Sequence, residues 1–474
     1  MASRSSSRLC GAAALAALAF GCVSTNPGYS DVQRLGAERL GVKPVWNQAE
    51  SAENRRARQN QIEKWLSEPL TAERAVHIAV LNSPSLQASF EDLGDARAKL
   101  VEALRLPNPT ASAALRYDGG TRPEIDLSGT LDLSALIFLA PEHGVAEAEL
   151  GAAALRVVGA AITLGYEVRA AFYRYQAARQ LAELRDSSLS ALRASFEVAA
   201  RLRAAGNITD LALATEQGAY EEARFAAARA ESELLTNREQ LGALMGLGEQ
   251  KPWTVAARLP ELPESDAGLQ DLERRALASS LDLRAIRARF DAAARRASVA
   301  RFRGVLPELR AGVSAERQSE WAVGPLVELE LPLFYQGQGK TGAALAEMRR
   351  EKALFEAAVV RLRSAARATS GRLATTRSSV TSYRATVLPL RARILSGSEA
   401  EYNAMTIGLF QLLEAKRAQI QASSTWIEML RDYWLTRLDA EELLAGGLPS
   451  RELRADLPGR EESPSRRGTS GGEH

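Results

Sequence analysis

Two runs of strict apolar and polar alternation lie close together between Leu306 and Gly342, in a chain that is otherwise dominated by helical patterns. Alternation with a period of two is typical of strands that have one apolar and one polar face. A lone hairpin is marginally stable at best, so these strands need partners elsewhere in the chain. The apolar positions are Leu309, Ala311, Val313 and Ala315 in the first run, and Val327, Leu329, Leu331 and Leu333 in the second.

A second pair of alternating runs supplies candidate partners about 200 residues earlier. It follows the helix-stopping Pro107-Asn108-Pro109 and is divided by a turn signal at Asp118-Gly119-Gly120-Thr121. The apolar positions are Ala111, Ala113, Leu115 and Tyr117 in the first run, and Ile125, Leu127, Leu131 and Leu133 in the second. The chain therefore contains four predicted strands in two pairs.

Each strand pair is followed by a long helical pattern, a break and a second helical pattern that returns. The first long pattern, from Pro141 to Ala205, would extend roughly 100 Å at about 1.5 Å per residue. An offset of about 200 residues recurs at three landmarks, which is the mark of an internal duplication. The landmark pairs are Pro109 with Pro307, Leu131 with Leu331, and Gly206 with Met405.

The duplication divides the chain into six segments. We expect an arm with one short helix near Glu50–Leu66. A further helix is predicted to begin at Thr71, and Asn82-Ser83-Pro84-Ser85 interrupts its pattern and could split it into two helices. The segments are a signal peptide at 1–21, a lipidated arm at 22–69, a first repeat at 70–248, a connection at 249–268, a second repeat at 269–446 and a disordered tail at 447–474.

The N-terminus has the layout of a secretory signal peptide, with Arg4 and Arg8 ahead of a short apolar run. The four residues Leu18-Ala19-Phe20-Gly21 before Cys22 resemble a bacterial lipobox, which implies a lipid anchor on Cys22. An ordinary signal peptide with a coincidental cysteine remains the alternative. The only other cysteine, Cys10, lies in the segment that would be removed, so we expect no disulfide in the mature chain.

Composition and motifs argue against nucleic-acid binding and catalysis. The net charge is only +2, and 46% hydrophobic residues with 25% charged residues favour long helices with solvated faces. The histidines His77, His143 and His474 are isolated, and no metal-ligand spacing, catalytic constellation or cofactor fingerprint is present. We therefore expect no enzyme activity, no cofactor and no resident metal.

Four segments, at Leu70–Ala88, Leu106–Pro109, Leu331–Gly339 and Tyr402–Lys416, carry a resemblance to a known family. They read LTAERAVHIAVLNSPSLQA, LPNP, LPLFYQGQG and YNAMTIGLFQLLEAK. In this order and duplicated spacing, the chain resembles the TolC-type outer-membrane factors, the exit ducts of tripartite efflux pumps and type I secretion systems. The LPLFYQGQG segment looks most like the CzcC-like heavy-metal branch.

The resemblance implies a mostly α fold with a β-barrel portion. Three protomers would share a 12-stranded outer-membrane barrel that is continuous with a periplasmic α-helical barrel, as closure in lipid also demands. The implied partners are a periplasmic adaptor, an inner-membrane pump and outer-membrane lipids, with heavy-metal cations as one possible cargo. The same duct in drug efflux or type I protein secretion is an alternative, and a periplasmic coiled-coil scaffold lipoprotein is a hypothesis from another class.

The chain departs from the family pattern at two places. Met405 stands where glycine is usual at the helix-to-helix turn and Gly408 where Ser or Thr is usual, so a re-registered turn is one interpretation. The junction at Ala140–Gly144 is also unusual, whereas the second repeat keeps Gln336–Gly339. We place Trp321 in the turn between the last two strands.

Two sets of functional residues follow. If the apolar strand faces meet lipid, the charged residues of the strands face the channel. Acidic residues outnumber basic ones among them, which would favour the passage of cations, although the charges could equally serve only to keep the pore wall hydrated. The lumen candidates are Arg116, Asp126, Asp132, Arg310, Glu316, Glu328 and Glu330. The candidates for the periplasmic tip and gate, for which solvated helix ends are the alternative, are Gly206, Asp210, Met405, Gly408, Gln411 and Glu414.

Overall fold

The computed structural model describes residues 28–47, 51–117, 123–248, 252–317 and 320–449. The N-terminal arm contains α1 (Tyr29–Leu40) and α2 (Ala52–Leu66). The first repeat contains α3 (Ala72–Asn82), α4 (Pro84–Ala103), β1 (Thr110–Arg116), β2 (Glu124–Asp132), α5 (Ser134–Ala204) and α6 (Asp210–Leu244). The second contains a 3-10 turn (Ala267–Leu269), α7 (Leu272–Ser279), α8 (Leu281–Val305), β3 (Glu308–Arg317), β4 (Trp321–Glu330), α9 (Gln338–Ser382), a π turn (Tyr383–Val387), α10 (Leu388–Asn403) and α11 (Leu409–Ala445).

The four strands form one antiparallel sheet in the order β1-β2-β3-β4. The two predicted strand pairs are therefore each other's partners, joined where Ile125–Asp132 of β2 runs against Arg310–Arg317 of β3. Two predictions about β4 were wrong. Trp321 is its first residue rather than part of a turn, and Leu331 and Leu333 lie beyond its end.

The helices that enter the sheet are broken at equivalent serines. Ser83 separates α3 from α4, and Ser280 separates α7 from α8. Thr71 caps the start of α3, because its hydroxyl oxygen accepts a hydrogen bond from the Arg74 amide at 3.2 Å. Ser280 does the same for α8 through the Leu283 amide. Caps of this kind satisfy amide groups that have no partner within the helix.

The two junctions between strand and long helix differ in structure. In the first repeat α5 begins at Ser134, directly after β2, so the expected junction at Ala140–Gly144 is wrong: these residues are helical. In the second repeat a loop precedes α9, and Gly337 lies there in the left-handed region at φ 70°. The loop packs tightly on α8, since a Cβ on Gly304 would lie 2.1 Å from the Gln336 carbonyl oxygen.

The α5 helix has 71 residues and would be roughly 105 Å long. One 18-residue window in it is apolar enough to cross a membrane by length and composition, but 56% of that window is buried within the protein. This burial makes it part of the core, where α5 packs against α1, α3, α4 and the first residues of the connection. A second apolar cluster joins α7, α8, α9 and α11.

The N-terminal arm is more structured than the sequence indicated. Helix α1 was not predicted, yet its Val32 side chain is fully buried against the first cluster. Trp46 stacks on Phe90 of α4 with ring centroids 5.8 Å apart, and its indole N–H donates to Glu91. The predicted signal peptide, Cys22, the 118–121 turn and residues 450–474 of the tail lie outside the described residues.

Candidate functional site: a polar sheet face and two helical turns

All seven lumen candidates lie on one face of the sheet. Residues paired across antiparallel strands point to the same side, and side chains alternate along each strand. Asp126 pairs with Glu316, Asp132 with Arg310, and Arg310 with Glu328. Arg116 and Glu330 share this face by the same alternation. We call this surface the polar face.

The polar face also contains two carboxylates that the sequence reasoning missed, Glu124 opposite Arg116 and Glu308 opposite Glu330. Its charge is strongly acidic, with seven carboxylates against two guanidinium groups. The acidic residues are Glu124, Asp126, Asp132, Glu308, Glu316, Glu328 and Glu330, and the basic ones are Arg116 and Arg310.

Only part of this charge is neutralised within the sheet. Arg116 contacts Asp126 at 3.1 Å, and Arg310 approaches Glu308 at 3.7 Å. Within the described ranges, Glu328 and Glu330 have no ion-pair partner. Between the charges, hydroxyl groups pair across β1 and β2, with Thr110 and Thr130 oxygens 2.7 Å apart. The face is thus mainly polar, although Ala114, Ala322, Gly324 and Leu326 also lie on it.

The opposite side of the sheet, the apolar face, is exposed and almost free of charge. Val323 and Val327 of β4 are 70% and 66% exposed. An apolar surface of this extent is normally covered by lipid or by another protein. Its members include Ala113, Leu115, Ile125, Leu127, Leu131, Leu309, Val313, Trp321, Val323, Val327 and Leu329.

The first turn, residues 205–209, joins α5 to α6. Gly206 adopts φ 76°, and the Asn207 amide donates to the Leu202 carbonyl at 2.9 Å. Thr209 caps α6, and Asp210 accepts two hydrogen bonds from Arg203 at 2.6 and 3.0 Å. These bonds from Arg203 hold the pKa of the Asp210 carboxyl below its usual value. Asp210 therefore closes the turn as well as lying at its surface.

The second turn, residues 404–408, has the same geometry. Met405 adopts φ 57° in place of Gly206, and the Thr406 amide donates to the Glu401 carbonyl at 3.0 Å. Gly408 occupies the capping position, where the Gln411 side chain accepts a hydrogen bond from its amide at 3.1 Å. The turn is therefore not re-registered: Met405 tolerates the left-handed conformation instead.

A buried polar contact joins the two helical hairpins below their midpoint. Glu216 of α6 is buried and accepts hydrogen bonds from Ser195 of α5 and from Arg417 of α11, the latter at 2.9 Å. Glu414 approaches the same arginine at 3.7 Å. Sequence reasoning singled out Glu414 but missed this link, because its partners are some 200 residues apart.

The histidines and acidic side chains of the described residues are the candidate metal ligands. No group of three His, Cys, Asp or Glu side chains there is arranged to hold a metal ion. His77 is half-buried on α3, where its Nδ1 lies 2.8 Å from the Glu73 carbonyl oxygen and its ring packs on Trp65. His143 lies in α5.

Comparison with known proteins finds similarity to a family of efflux proteins and to a metal-resistance protein. The family model described as outer membrane efflux protein matches residues 75–247. The cobalt-zinc-cadmium resistance protein CzcC of Cupriavidus metallidurans is 25% identical over 378 residues, which cover 76% of this chain and 87% of CzcC.

Two solved outer-membrane proteins share the fold. The CmeC outer membrane channel of Campylobacter jejuni superimposes with a TM-score of 0.67 at 13% identity, covering 89% of this chain and 93% of CmeC. The outer membrane protein VceC of Vibrio cholerae gives a TM-score of 0.61 at 18% identity, covering 84% and 99%. Similarity at this level of identity concerns the fold alone.

Proposed function

We propose that the chain is a member of the outer membrane efflux protein family, lies in the outer membrane and forms the passive exit duct of a tripartite efflux system, in line with its similarity to that family and to CzcC. It catalyses nothing, and an inner-membrane pump supplies the energy through a periplasmic adaptor. One observation carries the proposal: a four-stranded sheet with one apolar face, one polar face and two open edges continues directly into a 71-residue helix.

The open edges argue for assembly. Among the described strands β1 and β4 each have one neighbour, so both edges expose unpaired backbone groups. Lipid does not tolerate such edges, which favours closure of β1 on β4 of another protomer. Two protomers would give eight strands, whose interior side chains fill the barrel, whereas three give twelve and leave room for a channel. A homotrimer is therefore the smallest assembly that conducts.

Closure assigns the two faces of the sheet. The apolar face meets lipid, and the polar face lines the water-filled lumen. The helical hairpins extend into the periplasm and end at the two turns, where Gly206, Asp210, Met405, Gly408, Gln411 and Glu414 form the narrow end and the region that meets the adaptor.

Reconstitution into planar bilayers tests the duct itself. We expect single-channel conductance, together with an oligomer whose electrophoretic migration in detergent changes on heating. A periplasmic coiled-coil scaffold would show neither property, so their joint absence would refute the proposal. For the turns, Gln411→Cys cross-linked between protomers should lower the conductance, and an unchanged conductance would remove Gln411 from the narrow end.

Heavy-metal cations are the cargo we favour. CzcC is described as a cobalt-zinc-cadmium resistance protein, and the excess of carboxylates on the polar face suits cations. Replacing Glu328 and Glu330 with Gln should reduce cation selectivity, measured as the reversal potential across a salt gradient. Glu356→Gln on the exposed surface of α9 is the matched control. Equal reversal potentials in all three proteins would leave the carboxylates a role in solubility only.

A lipid on Cys22 fits the position of the described arm. Gly28 lies against Leu93 and Leu150, and Leu150 is roughly 24 Å along α5 from its first residue beside the sheet. The six residues from Cys22 to Gly28 can span roughly 20 Å when extended. The two lengths are comparable, so a lipid on Cys22 would lie near the base of the barrel. Mass spectrometry of the mature N-terminus should find acylated Cys22, and an unmodified N-terminus would exclude it.

A further inference from the structure

A proline interrupts the descending helix of the second hairpin. Between α9 and α10 the chain forms a π turn, in which the Leu388 amide donates to the Tyr383 carbonyl five residues earlier. Pro389 follows as the second residue of α10. It has no N–H to donate to the Ala385 carbonyl, and its ring would collide with that oxygen in a regular α-helix. The wider turn accommodates the proline at the expense of a continuous hydrogen-bond ladder.

The first hairpin has no such interruption. Its descending helix α5 is α-helical from Ser134 to Ala204, and its single proline, Pro141, lies near the sheet. The two hairpins therefore differ in stiffness although their turns match. In the second hairpin the break lies 16 residues before Met405, roughly 24 Å from the turn.

The helices are held firmly just above the π turn. Asp266, in the connection between the repeats, has a side chain that is only 15% exposed, and it accepts hydrogen bonds from Arg377 of α9 at 3.0 Å and from Tyr433 of α11 at 2.8 Å. Arg437 of α11 also binds Asp266. Arg377 further donates to the Pro263 carbonyl at 2.8 Å. We call this cluster around Asp266 the clamp.

Contacts at the π turn itself are weaker. Arg384, within it, bonds Glu261 at 3.2 Å, but both side chains are half or more exposed, where an ion pair contributes little. Tyr383 and Val387 border an open groove of about 560 Å³ between the two hairpins, opposite Leu192 of α5. The π turn therefore has space on one side and a fixed support above it.

We infer that the π turn at Pro389 is the hinge on which the lower half of the second hairpin swings against the first, with the clamp as its fixed end. The inference rests on the proposed duct, because the motion would widen its periplasmic end. The buried bond between Arg417 and Glu216 is the contact that this motion has to break. α11 has no interruption of its own, so the motion also requires it to curve below its anchors at Tyr433 and Arg437.

Pro389→Ala tests the hinge because it restores the missing donor and removes the collision. Hydrogen exchange measured by mass spectrometry should slow in residues 383–392 by roughly fivefold or more, the factor for one added backbone hydrogen bond. In a Cys22→Ser background, spin labels at Asn207→Cys and Met405→Cys should give a narrower distance distribution. Pro141→Ala, which also removes a helical proline, should leave both readouts unchanged.

Asp266→Asn provides a second variant with the opposite effect. Loss of the charge loosens the clamp, so the distance distribution between the two labels should broaden. An unchanged distribution in both Pro389→Ala and Asp266→Asn, or an equal change in Pro141→Ala, would overturn the hinge. These readouts do not depend on conduction, so a protein that fails to conduct in bilayers but shows the shifts would refute the duct and keep the hinge.

Discussion

The seam between the two repeats in the sheet offers a sharp test of the fold. At this seam Gly312 of β3 lies opposite Thr130 and beside Gly129 of β2. A Cβ added to Gly312 would lie 1.9 Å from the Gly129 carbonyl oxygen and 2.8 Å from the Thr130 Cα. Both are backbone atoms, so no side chain can rotate away and the strands themselves have to separate.

The magnitude follows from that geometry. Cβ contacts below 3.0 Å are essentially never seen, so Gly312→Ala requires a local separation of about 1 Å. Overpacking of this kind costs about 1–3 kcal/mol, and each weakened ladder hydrogen bond adds about 1 kcal/mol. We therefore expect a loss of about 2–4 kcal/mol per protomer, repeated in every protomer of an assembly.

The control is Gly324→Ala on β4, which shares the polar face but has nothing within 4 Å of its added Cβ. The assay is the temperature at which the folded, heat-modifiable species disappears in detergent after a fixed heating time. Gly312→Ala should lower this temperature by several degrees or prevent assembly, whereas Gly324→Ala should leave it within error. Equal temperatures for the two variants would refute the close approach of β2 and β3.

Two further predictions concern the turns. Met405→Gly should stabilise the second turn by about 1 kcal/mol because it removes a left-handed non-glycine residue, while Gly206→Ala should destabilise the first turn by a similar amount. Hydrogen exchange of the turn amides measures both effects. A change in stability of the same sign in the two variants would contradict the shared geometry. The lowered pKa of Asp210 means that its bond to Arg203 contributes stability above the unfolded-state pKa of about 4 and loses it as the pH falls through the lower folded-state pKa. The protection factor of the first-turn amides, which is the exchange rate corrected for its intrinsic pH dependence, should therefore fall under acid conditions in the wild type and be independent of pH in that range in Asp210→Asn.

The four strands could be predicted because alternation is a local pattern. Period two over short runs needs no knowledge of the partner, and the structure has a strand at each of the four predicted places. The positions of the acidic side chains on one face also follow from alternation once the strands pair. The two pairs were predicted to be partners, but which strands meet, β2 with β3, and their register could not be predicted, since the pairing joins segments about 180 residues apart in the chain.

Other features were missed for physical reasons that differ. Helix α1 has a short apolar stripe whose burial depends on α5, so its pattern alone was too weak to predict a helix. Trp321 was placed in a turn because its neighbourhood is polar, but β4 extends to it opposite Arg317. The link through Glu216 depends on three helices meeting, which no local pattern indicates.

The divergence between the repeats bears on how the duct would open. The wall needs two equivalent hairpins, and the turns at Gly206 and Met405 keep the same backbone geometry despite different residues. A gate needs two hairpins of different stiffness, because two equally stiff hairpins resist motion equally. Pro389 and the π turn lie in only one of the two descending helices, the one that begins after a junction loop that the other repeat lacks. The second repeat is thus the one that contains a flexible point. A Pro389→Ala channel that is closed for a larger fraction of the time than the wild type would show that this point takes part in opening.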